Sequence, residues 1–298
     1  MSGADATRKG PDGMGEIRII ALDLDGTLLD SDKNLPAANR AALERAAEAG
    51  IHIVPTTGRF FGMMPQAVRD LPFVRYAITI NGAQVYDRET DSAIVRDEIP
   101  LATALEVMEI LDGCDVVYDC YRGNWGWMTA SHQDKAEAYA TNVHYLKMVR
   151  EFRNPVPDLK THLRSTAADG DVQKIMLFAR KDDPEAAAAT LDAVRRAIAE
   201  RFPEIRATSS TWNNIELNIA SAHKGNALRR FAQHLGLGLE NCMAFGDGTN
   251  DFTMVEAAGL GVAMENADPE VKRVAKYVAP SNDDCGVAKG IEKWIFSR

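Results

Sequence analysis

IRIIALDLDGT, residues 17–27, sets an apolar run, broken only by Arg18, directly before two aspartates, a glycine and a threonine. Such a run reads as a buried strand, Ile17 to Leu22, with Asp23 just beyond its end. Working outward, Pro36 to Ala49 carries Ala, Leu and Glu at helical spacing and stops at Gly50, and Ile51 to Thr56 forms another apolar strand. A helix is expected over Phe60 to Asp70 and a third strand over Tyr76 to Ile80, ending at Asn81. This β-α-β-α-β order predicts an α/β fold built on a parallel sheet covered by helices.

The alternation resumes far along the chain. Helices are expected at Lys224 to Leu235, Thr249 to Ala258, Pro269 to Ala275 and Gly286 to Phe296, with strands at Asn241 to Phe245, Gly261 to Ala263 and Tyr277 to Ala279. The intervening stretch has its own pattern: strands at Ala93 to Ile99, Val116 to Tyr121, Trp125 to Thr129, Val172 to Ala179 and Trp212 to Ile219, and helices at Leu101 to Leu111, Gln133 to Val149 and Pro184 to Arg201. Glu151 to Gly170, with Pro155 and Pro157, reads as loop. The simplest architecture is a discontinuous core, residues 17–83 and 216–298, with an α/β domain of residues 84–215 inserted and residues 1–16 as a disordered tail.

Composition narrows the function classes. The 298 residues hold 34 Lys and Arg against 43 Asp and Glu, a net charge of −9, which disfavours a nucleic-acid coat protein or a polybasic membrane binder. With 46% apolar and 26% charged residues the chain has globular composition. No apolar run approaches the roughly 18 residues of a membrane span, and Met1 to Glu16 lacks the apolar stretch of a secretory signal, so a cytoplasmic protein is expected. The four cysteines, at 114, 120, 242 and 285, form no C-x-x-C pair and read as reduced thiols; the six scattered histidines are not expected to ligate metal. Oligomeric state leaves no mark in the sequence.

Ligands of open α/β sheets bind beyond the carboxyl ends of the strands. The residues there are Asp23 with Asp25, Thr57 with Gly58, Asn81 with Gly82, and Asp247 with Asn250 and Asp251, while Lys224 opens a helix. Clustered carboxylates repel unless a cation sits among them, and hard oxygen ligands favour Mg²⁺, which in turn draws in a phosphate. Asp23 can aim a carboxylate at phosphorus and Asp25, two residues on, can carry a proton. Gly26 permits the sharp turn between strand and loop.

In their order and placement these segments resemble the haloacid dehalogenase superfamily, specifically the Cof-type phosphatases with a large α/β cap. The resemblance rests on DLDGT (Asp23 to Thr27), TTGR (Thr56 to Arg59), HKG (His223 to Gly225) and GDGTND (Gly246 to Asp251), with NGA at Asn81 to Ala83, Glu216 ahead of Lys224, GVAMENA at Gly261 to Ala267 and GVAKGI at Gly286 to Ile291. It spans Ile19 to Trp294 and implies a Rossmann-like core with an inserted cap. It implies a Mg²⁺-dependent phosphomonoesterase acting on small phosphorylated metabolites such as sugar phosphates, with no nucleic-acid or membrane partner. Asp23 is then the nucleophile that becomes an aspartyl-phosphate, and Asp25 the acid and base. Mg²⁺ is held by Asp23, the Asp25 carbonyl and Asp247, with Asp251 as ligand or support. Thr57, Gly58, Lys224 and Asn250 hold the phosphoryl oxygens.

Two departures from the family pattern are His223, where relatives carry a small residue, read as a bystander rather than a substrate contact, and Phe252, read as core packing. Arg59 either pairs within its own helix or touches substrate. Trp125-Gly126-Trp127 reads as edge-strand packing in preference to an aromatic wall over the active site, and Asp119, Tyr121, Arg122 and Asn124 read as candidate specificity residues. The competing functions are a phosphomutase, which must retain and redeliver the phosphoryl group, and a non-catalytic phosphate binder, which needs neither Asp23 nor Asp25.

Overall fold

The computed structural model describes residues 15–141 and 143–297. It divides into two compact units, one running to Arg96 and resuming at His223, the other Asp97–Ala222. Residues 1–14 of the expected tail lie outside the described residues, whereas the Glu16 carbonyl accepts a hydrogen bond from Asn241 Nδ2 at 2.9 Å.

The first unit holds five parallel strands in the spatial order Tyr277–Ala279, Leu260–Met264, Cys242–Gly246, Ile19–Leu22 and His52–Pro55. Ile19–Leu22 has neighbours on both edges and helices on both faces. Ile20 and Leu22 lie in one apolar cluster with Leu43, Phe245 and Val287, and Ile19 and Ala21 in another with Val54, Ala227 and Phe231. Burial on both faces is why its sequence is continuously apolar rather than alternating. The chain order reverses around this strand, since one neighbour follows it directly and the other arrives some two hundred residues later. The crevice at such a reversal is where α/β sheets bind ligands, and Asp23 stands at its lip.

Tyr76–Thr79 departs from the expected third parallel strand. It meets the parallel sheet through a single bridge, Thr56 to Ile78, and otherwise pairs antiparallel with Gln84–Asp87, which pairs with Ser92–Arg96. The cause is local: Ile80, Asn81 and Gly82 have φ of 54°, 58° and 101°, so the chain reverses there. Residues 84–96 therefore belong to the first unit, and residues 216–222 to the second, unlike the expected boundaries at 83/84 and 215/216. The expected helix over 60–70 reduces to a 3₁₀ turn, Phe61–Met63, and one helical turn, Gln66–Arg69, because Pro65 takes an extended ψ of 133° between them.

The second unit is a six-stranded sheet in the order Ile205–Thr208, Asn214–Ile219, Lys174–Ala179, Val116–Arg122, Trp125–Thr129 and Arg153–Val156, antiparallel except for its last pair. Val116, Tyr118, Cys120, Ile175 and Leu177 share a core with residues of the helices Leu101–Asp112, Leu159–Ser165 and Pro184–Arg201. The expected loop 151–170 thus contains a strand and a helix, the helix capped by Asp158 Oδ1 accepting from Thr161 N at 2.7 Å. The expected helix over 133–149 is split into Ala130–Lys135, a 3₁₀ turn Ala136–Ala138, and Val143–Phe152. Among the described residues no helix is long and apolar enough to cross a membrane.

Candidate active site

All eight sequence-predicted site residues lie in the first unit. Asp23 follows Ile19–Leu22 directly and its N–H donates to the Phe245 carbonyl at 3.1 Å, which ties the loop to the neighbouring strand. Gly26 then turns the chain with φ of 81°, and a Cβ on it would stand 2.3 Å from Asp247 Oδ2. Any side chain at this position would displace that carboxylate. Thr27, fully buried, donates from Oγ1 to Asp247 Oδ1 at 2.7 Å. The sequence places Thr27 only within the DLDGT motif, and its contact with Asp247, 220 residues away, is a product of the fold.

One oxygen each of Asp23, Asp247 and Asp251 lies within 4.8 Å of the others. Lys224 Nζ donates to Asp23 Oδ1 at 2.6 Å and to Asp251 Oδ1 at 2.5 Å, with its side chain 0% exposed. Asp251 Oδ2 accepts from the N–H groups of Asp247 and Gly248, both at 3.0 Å. Asp251 is thereby committed on both oxygens to holding the loop and the lysine.

One ammonium against three carboxylates leaves two negative charges uncompensated. Burial, reinforced by Asp251, pushes the Asp23 carboxyl up from 3.8 to about 7 against the pull of Lys224. Burial likewise raises Asp247 to about 6, with the Thr27 hydrogen bond opposing and Asp251 adding. Burial works against the Lys224 charge, yet Asp23 and Asp251 hold it well above its ordinary value. An all-oxygen, doubly negative, desolvated set is the donor chemistry that suits a hard divalent cation.

Asp25 is arranged differently. Its side chain is partly exposed and forms ion pairs with Arg59 Nη2 at 2.6 Å and Lys33 Nζ at 3.1 Å. The Arg59 alternatives are thus met by a third arrangement, a contact to the neighbouring site carboxylate. Thr57 is buried, its N–H donating to Ile78 O at 2.9 Å, and its Oγ1 accepts from Arg59 N at 3.3 Å. A Cβ on Gly58 would approach Asn81 Oδ1 at 2.8 Å, which packs the Thr57 loop against the Asn81 turn. Asn250 lies exposed on the 3₁₀ turn Thr249–Asp251.

The candidate specificity residues do not form a surface. Asp119, Tyr121 and Arg122 are buried inside the second unit: Asp119 pairs with Arg153 at 3.0 Å, Arg153 Nη2 donates to Tyr121 Oη at 2.8 Å, and Arg122 donates to Leu163 O at 3.1 Å. Asn124 has φ of 64° and follows Gly123, φ 61°, in the hairpin turn before Trp125–Thr129. Trp125 is not packed on an edge strand; it is 59% exposed, and Arg153–Val156 occupies the edge instead. Phe252 does pack against the first unit's core.

The model of the haloacid dehalogenase-like hydrolases matches residues 20–291. The chain belongs to that family. It is 28% identical to the 5-amino-6-(5-phospho-D-ribitylamino)uracil phosphatase YcsE of Bacillus subtilis over 94% of this chain and 97% of that one. It is 30% identical to the pyridoxal phosphate phosphatase YbhA of Escherichia coli, over 92% and 97% of the two chains. Among solved structures, a haloacid dehalogenase-like hydrolase from Bacteroides thetaiotaomicron covers 93% of this chain and 99% of its own at a TM-score of 0.77 and 26% identity. This member of the haloacid dehalogenase-like family is a phosphatase with an α/β architecture of parallel core sheet and additional sheets.

Proposed function

We propose that the chain is a Mg²⁺-dependent phosphomonoesterase of small phosphorylated metabolites, sugar phosphates foremost, working through an aspartyl-phosphate on Asp23. The observation that carries this is the contact of Lys224 with both Asp23 and Asp251 inside a cluster of buried carboxylates. A phosphate binder has no use for a carboxylate facing its anion, whereas a nucleophile must stand there.

Asp23, Asp247 and the Asp25 carbonyl would hold the Mg²⁺, with Asp251 bracing Asp247 from behind. A divalent cation held by these oxygens would supply the positive charge that lets the carboxylates and the phosphoryl group approach. Asp23 attacks phosphorus with the oxygen not engaged by Lys224, and the bond to the leaving oxygen breaks. Lys224 and the Thr57 hydroxyl receive the equatorial phosphoryl oxygens, with Asn250 at the open side of the loop. Asp25 protonates the leaving alcohol and then takes a proton from the water that releases phosphate from Asp23. Because both Asp25 oxygens contact cations, acid catalysis requires its carboxyl to leave Arg59 and Lys33 first.

The four cysteines are all free thiols, which supports a reducing, cytoplasmic setting. Relatives named for phosphoribityl and pyridoxal phosphates support the small-metabolite reading. The test is a phosphate-release screen over phosphorylated metabolites with Mg²⁺ present. Release of inorganic phosphate without a bisphosphate activator is expected; isomerisation of the substrate without release would make the protein a mutase instead.

A further inference from the structure

Lys224 is the first residue of the helix Lys224–His234, and its cation lies at the end of the helix where the peptide dipoles are already positive. Its position therefore depends on how that first turn is anchored. The opening N–H groups of a helix have no intrahelical acceptor, and here two of them are met by side chains. Asn226 N donates to His223 Nδ1 at 3.1 Å, and Gly225 N donates to Thr253 Oγ1 at 3.1 Å.

The two acceptors also touch, with His223 Nδ1 and Thr253 Oγ1 3.2 Å apart. A backbone N–H can only donate, so Nδ1 presents its lone pair and the ring is neutral with its proton on Nε2. The Thr253 hydroxyl is then the donor to the same lone pair. Thr253 stands two residues beyond Asp251, which accepts from Lys224. A closed circuit results: Lys224 to Asp251, along the chain to Thr253, across to His223, and back to Lys224. Gly225 seals it, since a Cβ there would lie 2.3 Å from the Thr253 carbonyl oxygen.

We propose that His223 is a positioning residue for phosphoryl transfer: its imidazole, acting as helix cap and as acceptor toward Thr253, fixes where Lys224 meets Asp23 and the phosphoryl group. This replaces the bystander reading drawn from sequence, and it rests on the assignment of Lys224 to the phosphoryl oxygens.

The experiment compares His223→Leu, His223→Asn and Lys224→Ala by steady-state kinetics on p-nitrophenyl phosphate and a hexose 6-phosphate, with inorganic phosphate as inhibitor. Lys224 touches the transferred group and not the leaving group. His223→Leu, which has no acceptor, should therefore lower kcat/KM about tenfold, by the same factor on both substrates, and weaken phosphate inhibition in step. His223→Asn, which restores an acceptor at the cap, should recover most of the loss. A His223→Leu enzyme within about twofold of the parent overturns the proposal, as does a defect confined to one substrate, which would make His223 a leaving-group contact. Failure of His223→Asn to rescue overturns it too. If His223→Leu does not fold, Thr253→Val breaks the same circuit and carries the same expectations. Lys224→Ala is the separate control: near-parental activity there sinks the assignment of Lys224 itself, whereas an inactive Lys224→Ala beside an unaffected His223→Leu sinks only the positioning role.

Discussion

Replacing Asp23 with Asn should abolish turnover and, in the metal-free protein, stabilise the fold at alkaline pH. The unfolded chain ionises this carboxyl near 3.8 and the folded one at about 7, because burial disfavours its charge and Asp251 and, to a lesser degree, Asp247 add to that against the pull of Lys224. A folded-state value raised in this way means that between the two values the native state holds a proton that the unfolded state has lost. Stability contributed by the protonated group is complete below 3.8, falls as pH rises through the window, and is gone above about 7. At ~1.36 kcal/mol per pH unit the window amounts to a ceiling of roughly 4 kcal/mol, reduced by whatever relaxation and water entry the site allows. Asn has the shape of the protonated acid and still offers an oxygen to Lys224, but it never ionises. The Asn variant should therefore match the parent near pH 4 and exceed it by about 1–4 kcal/mol at pH 8. Urea unfolding in EDTA across this range measures the difference, and Mg²⁺ should reverse it by favouring the ionised parent. An Asn variant that is equally or less stable than the parent at pH 8 in EDTA, or whose advantage does not change with pH, would refute the reasoning.

Asp25→Ala should separate the two proton transfers. A sugar alkoxide needs protonation to leave and p-nitrophenolate needs little, whereas hydrolysis of the aspartyl-phosphate needs a base in both cases, assistance worth about 10²–10⁴-fold. Rapid quench should show a burst of p-nitrophenol near one per site and none from a hexose phosphate; Mg²⁺ bound normally with no burst from either substrate would show that Asp25 does not serve both steps. In the second unit, Arg153 and Asp119 pair with both side chains 0% exposed. Arg153→Met strands a buried carboxylate and should cost about 3–5 kcal/mol, most of it recovered by adding Asp119→Leu. Urea midpoints of the single and double variants check this, and a single-variant loss under about 1 kcal/mol would mean that the pair is not desolvated in solution.

What the sequence by itself determined follows from short-range physics. The apolar run before Asp23, the Gly26 turn, the helix opened by Lys224 and the order of strands and helices around them are set by periodicity and φ preference within a few residues, and the structure reproduces them. The same local rules miss the elements inside 151–170, since a four-residue strand and a seven-residue helix carry too little periodicity to register, and they run one helix over 133–149 where the structure has two helices separated by a 3₁₀ turn. Tertiary structure alone decided partners. Asn81-Gly82 marks a turn locally, but nothing near Tyr76 announces that residues 84–96 will then pair back and join the first unit. Nothing near Asp119 announces that Arg153 will bury it, which removes it from the surface where a specificity residue would stand. The same holds in the site: Lys224 lies 201 residues from Asp23, Asp247 lies 220 from Thr27, and His223 meets Thr253 across 30. Local pattern can put each of these groups at the end of a strand or helix. Which carboxylate receives the lysine, and which side chain caps the helix that carries it, is set by the packing of elements distant in the chain, because burial and charge pairing act through space and not along the sequence.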